Sequence, residues 1–181
     1  YFSSMNNKIY IDDFIIWQES ADEKLPDFSF IPSMVRRRMS NIEKIAVGIA
    51  GKIAQESQDY TTVFASKFGE WGQTIQLIKQ FFEEHEMSPA GVSNSVHNAA
   101  AGLFSLLTRN TNSYTSIAAG DNTLEMAILK ALMETRDVMV VFAGEHNPDM
   151  YAPLLDAPHN AFGLAVTIKK HGERGIKITK G

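Results

Sequence analysis

The chain has 181 residues, a formal net charge of −4 and no cysteine. This length suits a single domain with a sizeable core. The negative charge argues against a nucleic-acid-binding protein, which would carry a basic stripe, and no apolar run approaches the about 20 residues of a membrane span. Without cysteine there are no disulfides, thiolate metal sites or thiol nucleophiles, which fits a cytoplasmic protein.

The beginning of the chain does not read as a targeting segment. A basic stretch followed by an apolar one, the pattern of a secretory signal, is missing there. Tyr1–Ser4, ahead of Met5, resemble the remnant of an expression tag. We therefore expect residues 5–181 to form a single domain.

Hydrophobic spacing predicts alternating strands and helices. Strands are predicted at Lys8–Trp17, Thr61–Ser66, Tyr114–Ala119, Val138–Ala143, Ala161–Lys169 and Gly175–Thr179. Helices are predicted at Asn41–Glu56, from Trp71 to Phe82, at Val92–Leu107 and at Asn122–Arg136. The order β, α, β, α, α, β, α, β, β indicates an α/β fold with a mixed sheet.

Local signals add detail to these elements. Ser40 and Glu43 form a capping-box pattern before the first long helix, and Glu19–Pro32 reads as a polar loop. The last two strands are expected to form a hairpin around His171–Gly172. Asn122–Arg136 is apolar on two faces, which predicts burial on both sides. The sequence offers no second sheet to cover the outer side, so a partner is expected to supply it.

A turn that enzymes often use for a nucleophile lies between Ser116 and Thr123, where the chain reads S-I-A-A-G-D-N-T. This stretch predicts the end of a strand, a tight turn at the glycine and the start of a helix. The residue at the tip of the turn is Asp121, which is neither a thiol nor a hydroxyl. The pattern predicts a protein shaped like an enzyme that lacks the nucleophile.

Several motifs resemble one enzyme family. M-S-P-A-G-V-S-N-S-V-H-N-A-A-A-G-L-F from Met87 and T-S-I-A-A-G-D-N-T-L-E-M-A-I from Thr115 are similar to β-ketoacyl synthases, as are R-D-V-M-V-V-F-A-G-E from Arg136 and P-S-M-V-R-R-R-M-S from Pro32. Counting from Ser88 without gaps, the nucleophilic cysteine of that family falls on Asp121. The resemblance covers roughly Lys8 to Lys170.

This resemblance implies the N-terminal half of a thiolase-like fold with buried helices. The family's second half, with its two histidines and lysine, has no counterpart here. Inactive relatives of this kind are chain-length factors, and the small subunits of bacterial aryl-polyene pathways are the best match. The implied partners are a full-length ketosynthase, in a heterodimer, and transiently an acyl carrier protein. No cofactor is implied.

The resemblance also implies roles for particular residues. Ala90 and Gly91 stand where ketosynthases carry bulky phenylalanines, so their small size would leave room for a longer acyl chain. Tunnel or interface positions are implied for Ala90, Gly91, His97, Asn98, Tyr114, Ser116, Ile117, Ala118, Ala119 and Asp121. Asp121 is expected either to cap the following helix or to make a polar contact across the interface. His97 is read either as tunnel lining or as a packed, hydrogen-bonded core histidine.

Other candidate sites have weaker patterns. Arg36, Arg37 and Arg38 form a basic run that would suit an acidic carrier protein, or simply a solvated helix start with one internal ion pair. Glu83–Glu86 lacks the spacing of a zinc helix, so no metal site is expected. Two functional alternatives remain: an acyl-thioester enzyme that uses Asp121 or His97 as a base, and a homodimer that binds acyl carrier protein.

Overall fold

The structure is a computed structural model that describes residues 9–54, 60–155, 160–170 and 176–178, so the expected tag remnant Tyr1–Ser4 lies outside it. The strands are β1 (Ile9–Gln18), β2 (Thr61–Ala65), β3 (Tyr114–Ile117), β4 (Val138–Gly144), β5 (Phe162–Lys169) and β6 (Ile176–Ile178). The helices are α1 (Ser33–Arg36), α2 (Asn41–Ala54), α3 (Trp71–Glu84), α4 (Pro89–Asn94), α5 (Ala99–Thr108) and α6 (Thr123–Met133). Within these ranges no helix combines the length and apolar character needed to cross a membrane.

The strands form one mixed sheet in the order β3-β2-β4-β5-β1-β6, which confirms the predicted α/β class. β2 is parallel to both β3 and β4, whereas β5 is antiparallel to β4 and β1. The predicted hairpin of the last two strands is wrong, because β1 occupies the edge of β5 and β6 pairs with β1 instead. The expected turn, His171–Gly172, lies outside the described residues.

α2 is the buried helix of the fold. Its N-terminus has the predicted capping box: the Ser40 N–H donates to Glu43 Oε2 at 2.8 Å, and the Glu43 N–H donates to Ser40 Oγ at 3.1 Å. One side of α2 packs on β4 and β5. The loop Glu19–Pro32 covers the other side, where Pro26 and Phe30 fill the space beside two helix glycines. This loop is therefore a packing layer.

α6 lies on the opposite face of the sheet. Its buried residues Ala127 and Ala131 pack in a cluster with apolar side chains of β2, β4 and β5. The outer face of α6 is open within this chain, which agrees with the expectation that a partner must supply its cover, and burial on both sides stays a prediction. Large apolar side chains exposed on α6 are Met126, Leu129, Leu132 and Met133. On β1, Phe14 and Ile16 are exposed on the face of the sheet that carries α6.

The stretch predicted as one helix at Val92–Leu107 is two helices, α4 and α5, separated by residues 95–98. Serine hydroxyls explain the break. Ser93 Oγ donates to the Pro89 carbonyl at 3.0 Å and Ser95 Oγ donates to the Val92 carbonyl at 2.9 Å. Such bonds compete with helical backbone pairing, and they end α4 after about one and a half turns.

Candidate functional site

The turn between β3 and α6 is held by its backbone and one threonine. Gly120 has a φ of +59°, in the left-handed region that glycine adopts without strain. Thr123 is buried; its Oγ1 accepts a hydrogen bond from the Ala119 N–H at 3.0 Å and donates one to the Gly120 carbonyl at 2.6 Å. We call residues 116–123 the elbow. It has the tight geometry that its sequence predicts.

Asp121 lies at the tip of the elbow, inside a 3₁₀ turn that spans Gly120–Asn122. Its side chain is 90% exposed and its Oδ1 pairs with Lys67 Nζ at 2.5 Å. The expectation that Asp121 caps α6 is wrong, because the 3₁₀ turn shifts the N-cap position to Asn122. The carboxylate thus points to solvent and to Lys67, a residue that the sequence analysis did not single out.

A cavity of about 180 Å³ opens beneath the elbow. Its walls are aromatic: the Phe142 and Phe162 rings lie 4.9 Å apart, and the Phe68 and Trp71 rings lie 4.4 Å apart between their centroids. Polar residues of the lining are Ser66, Lys67, Asp121, Glu145 and Asn147. The described lining contains no histidine, and its titratable groups are Lys67, Asp121 and Glu145.

His97 lies beside this cavity and is half-buried. Its Nε2 is 3.0 Å from the Ser66 carbonyl oxygen, and its ring packs against Gly69 in the loop that leads to α3. This is the arrangement of a packed, hydrogen-bonded histidine. Asn98, next in the chain, is exposed at the N-cap position of α5, where its side chain makes no capping hydrogen bond.

β3 carries the other predicted interface residues and is an edge strand, with only β2 as its neighbour in the described sheet. Tyr114 is exposed and Ser116 and Ile117 are half-buried, while Ala118 and Ala119 lead into the elbow. The Ser66 N–H donates to the Ile117 carbonyl at 3.1 Å. Since alternate residues of a parallel strand bond to the same neighbour, the N–H of Ser116 faces the free edge.

Ala90 and Gly91 lie on α4 and differ in their surroundings. Ala90 is exposed. A Cβ atom on Gly91 would stand 2.8 Å from Leu77 Cδ2 of α3. The missing side chain of Gly91 therefore makes room for α3 inside this chain, whereas the position open to a partner is Ala90.

The three arginines follow or end α1. Arg37 and Arg38 are exposed, Arg36 is half-buried, and none of them forms an ion pair within the described ranges, so the expected internal pair is missing. Arg38 lines an apolar groove of about 490 Å³ between α1 and α5, with Met34 and Leu106 at its rim.

Two buried carboxyl groups, Glu43 and Glu70, and the half-buried Glu145 form what we call the carboxyl cluster. Burial raises the pKa of Glu70 to about 8, and the negative charges of Glu43 and Glu145 add to that rise. Burial also raises the pKa of Glu43 and of Glu145. No local sequence pattern indicates this cluster, because its members come from three separate segments.

No metal centre was found in the described part of the chain, where no group of three or more histidine or acidic side chains is arranged to hold an ion. Glu83 and Glu84 lie in the last turn of α3 and are exposed, with His85 as the C-cap residue. These residues form the end of a helix, as expected.

Comparison with protein families gives one match. Residues 15–180 match the model of the β-ketoacyl synthase N-terminal domain. The chain belongs to the β-ketoacyl synthase family. The elbow, its cavity, β3 and the carboxyl cluster all lie within the ketosynthase domain. Comparison with curated proteins gives no match.

Solved structures share the ketosynthase fold at low sequence identity. One is a ketosynthase (ApeO) in complex with its chain length factor (ApeC) from Xenorhabdus doucetiae, with a TM-score of 0.81 and 20% identity over 92% of this chain and 80% of that chain. A second is the ishigamide ketosynthase/chain length factor, with a TM-score of 0.60 and 12% identity over 76% of this chain and 46% of that chain. A third is a type II polyketide synthase complex, AntDE:AntF, with a TM-score of 0.67 and 14% identity over 92% of this chain and 64% of that chain. This chain thus spans about half to two thirds of the latter two chains.

Proposed function

We propose that this protein is a non-catalytic subunit, similar to a chain-length factor, that pairs with an active ketosynthase and shapes its acyl tunnel. One observation carries the proposal: the elbow of a ketosynthase domain ends in Asp121, an exposed carboxylate paired with Lys67, in a chain without cysteine. A carboxylate in this position is a poor acyl acceptor. The described cavity also lacks a histidine base.

The proposed partner is a full-length ketosynthase, and β3 is the proposed contact. Its outer edge presents unpaired backbone groups, which favour pairing with a strand of another chain. The matched ApeO–ApeC complex, in which a chain of comparable length occurs, supports this choice. The partner would supply the nucleophile and the histidines, while this chain supplies walls through the exposed residues Ala90, Asn98 and Ala118.

Two further features belong to the proposal. Arg36–Arg38, with no acidic partner among the described residues, would attract an acidic acyl carrier protein. An aryl-polyene pathway in the cytoplasm is the proposed setting, and no cofactor is required beyond the arm that carries the acyl chain.

The experiment is co-expression with the ketosynthase encoded nearest to this gene, followed by measurement of complex mass and affinity. We expect a heterodimer. Ser116→Pro removes one outward N–H of β3 at an edge position where proline is tolerated. It should weaken association about tenfold, the value of one lost hydrogen bond.

The circular dichroism and thermal unfolding of Ser116→Pro alone serve as the control, because they must match the parent chain. Absence of a complex, or an unchanged affinity of a folded Ser116→Pro variant, would contradict the proposed pairing. Turnover of acyl or malonyl thioesters by the purified chain alone would contradict the non-catalytic role.

A further inference from the structure

The carboxyl cluster joins three separate elements of the fold. Glu43 lies in the first turn of α2, Glu70 is the N-cap residue of α3, and Glu145 follows β4. Glu145 Oε1 accepts the Gly72 N–H from the first turn of α3 at 2.8 Å. Glu70 is 5% exposed and its Oε2 has no hydrogen-bond partner. A buried, unpartnered carboxyl oxygen beside two other carboxyl groups is costly when ionised.

The cluster contains no neutralising cation, since none of its members forms an ion pair in the described part of the chain. Lys44 of α2 acts on Glu43 alone. The other charged or titratable groups nearby are engaged elsewhere: Lys67 with Asp121, His146 with Glu19, and His97 with the Ser66 carbonyl. A proton on Glu70 is therefore the remaining means of neutralisation.

Away from its N-terminus, where the Trp71 ring also packs on Phe68 and Tyr151, α3 has few attachments to the body of the fold. It packs mainly on α4, and of its own side chains only Ile75 and Leu77 are buried. Its N-terminus is the point at which it is joined to the α2 cap and to the end of β4. A change at the carboxyl cluster would therefore act on α3 and α4 together.

We propose that the carboxyl cluster is a proton-dependent latch, in which a proton on Glu70 holds the N-terminus of α3 against α2 and β4, and its loss loosens α3 and α4. The latch is a property of the chain alone and does not depend on the proposed pairing.

The direction follows from linkage. The pKa of Glu70 is about 8 in the folded chain, against 4.5 for an ordinary glutamate. Between pH 4.5 and about pH 8, Glu70 is protonated when α3 is closed and ionised when α3 is open. The closed state is therefore less favoured as the pH rises. The opening equilibrium of α3 should therefore increase about tenfold per pH unit between pH 5 and 7.5, and level off near pH 8.

Hydrogen exchange of the full chain, followed by mass spectrometry from pH 5 to 9 and corrected for the intrinsic rate, tests the latch. Peptides from α3 and α4 should show this increase. Glu70→Gln mimics the protonated side chain. The slope of the logarithm of its α3 opening equilibrium against pH should therefore be lower by about one, the one proton that Glu70 releases on opening. Glu83→Gln, at an exposed position of the same helix, should behave like the parent chain.

Exchange in α3 that does not vary with pH, or a Glu70→Gln variant with the slope of the parent, would overturn the proposal. Glu145→Gln provides a second measurement in case Glu70→Gln does not fold. It keeps the acceptor for the Gly72 N–H and removes a negative charge that raises the pKa of Glu70. The pH at which the opening of α3 levels off should therefore be lower. An unchanged levelling point would also overturn the proposal.

Discussion

Ser40 shows how one hydroxyl supports two parts of the molecule. Its Oγ accepts the Glu43 N–H and completes the capping box of α2. The same side chain hydrogen-bonds to Glu70 and thereby lowers the pKa of that carboxyl, against the larger effect of burial. Loss of the hydroxyl would therefore affect both the cap of the buried helix and the carboxyl cluster.

We expect Ser40→Ala to lower the free energy of unfolding by about 1 kcal/mol, because an unsatisfied N-cap costs this amount. The measurement is urea unfolding monitored by circular dichroism at pH 6. Ser33→Ala, at an exposed residue of α1, is the matched control and should change stability by less than about 0.5 kcal/mol. Equal stabilities of the two variants would show that the cap contributes nothing.

At the residue scale, sequence reasoning succeeded where the partners are near in the chain. Ser40 and Glu43 are three residues apart, so their spacing alone predicts the capping box. Lys67 is 54 residues from Asp121, and its ion pair depends on the parallel arrangement of β2 and β3. Nothing in the local pattern around Asp121 indicates that contact.

Among the elements, α3 and α4 form a unit whose packing changes the meaning of Gly91. The sequence suggested that small residues at 90 and 91 leave space for an acyl chain. In the structure, Leu77 of α3 already lies beside Gly91. Substitutions at the two positions should therefore have different effects.

We expect Ala90→Phe, in complex with the ketosynthase, to shift products to shorter chains, because the ring would extend from an exposed position. Gly91→Phe should instead destabilise the chain by about 1–3 kcal/mol through overpacking against α3. Product analysis and thermal unfolding measure the two effects, with Ala90→Ser as the control. An unchanged product length with Ala90→Phe would remove Ala90 from the tunnel wall.

The same comparison explains where element boundaries were wrong. Apolar spacing continues through residues 92–107, but serine side chains break the backbone pairing between α4 and α5. Likewise, the two last strands read correctly as strands, while their pairing depends on β1 at the other end of the chain. Periodicity predicts the type of an element and carries no information on distant pairing.

At the scale of the whole molecule, one face of the sheet is covered and the other is partly open to solvent. α2, α5 and the loop Glu19–Pro32 cover one face of the sheet, whereas the face that carries α6 exposes Ile16 (69%) and Leu129 (49%). Large apolar side chains exposed on one face mark an interaction site or an aggregation liability. The apolar outer face of α6 and the absence of a second sheet to cover it were both predictable from the sequence, and the open face agrees with them.

We expect Leu129→Lys to raise the solubility of the isolated chain and delay its aggregation on heating, because it interrupts this apolar surface. Light scattering during a temperature ramp measures the effect. Thr111→Lys adds the same charge in an exposed loop without removing apolar surface, and it should not delay aggregation. A similar delay in both variants would assign the effect to charge.

The place of β1 between β5 and β6 has a consequence for the order of folding during translation. β1 is made first, but its neighbours in the sheet are β5 and β6, and the Asp13 N–H bonds to Thr167 Oγ1 across 154 positions of sequence. The ribosome must therefore synthesise β5 before β1 can enter the sheet. Until then the side chain of Trp17, which is buried in the folded chain, stays available to chaperones, so β1 is protected from misassembly only late in synthesis.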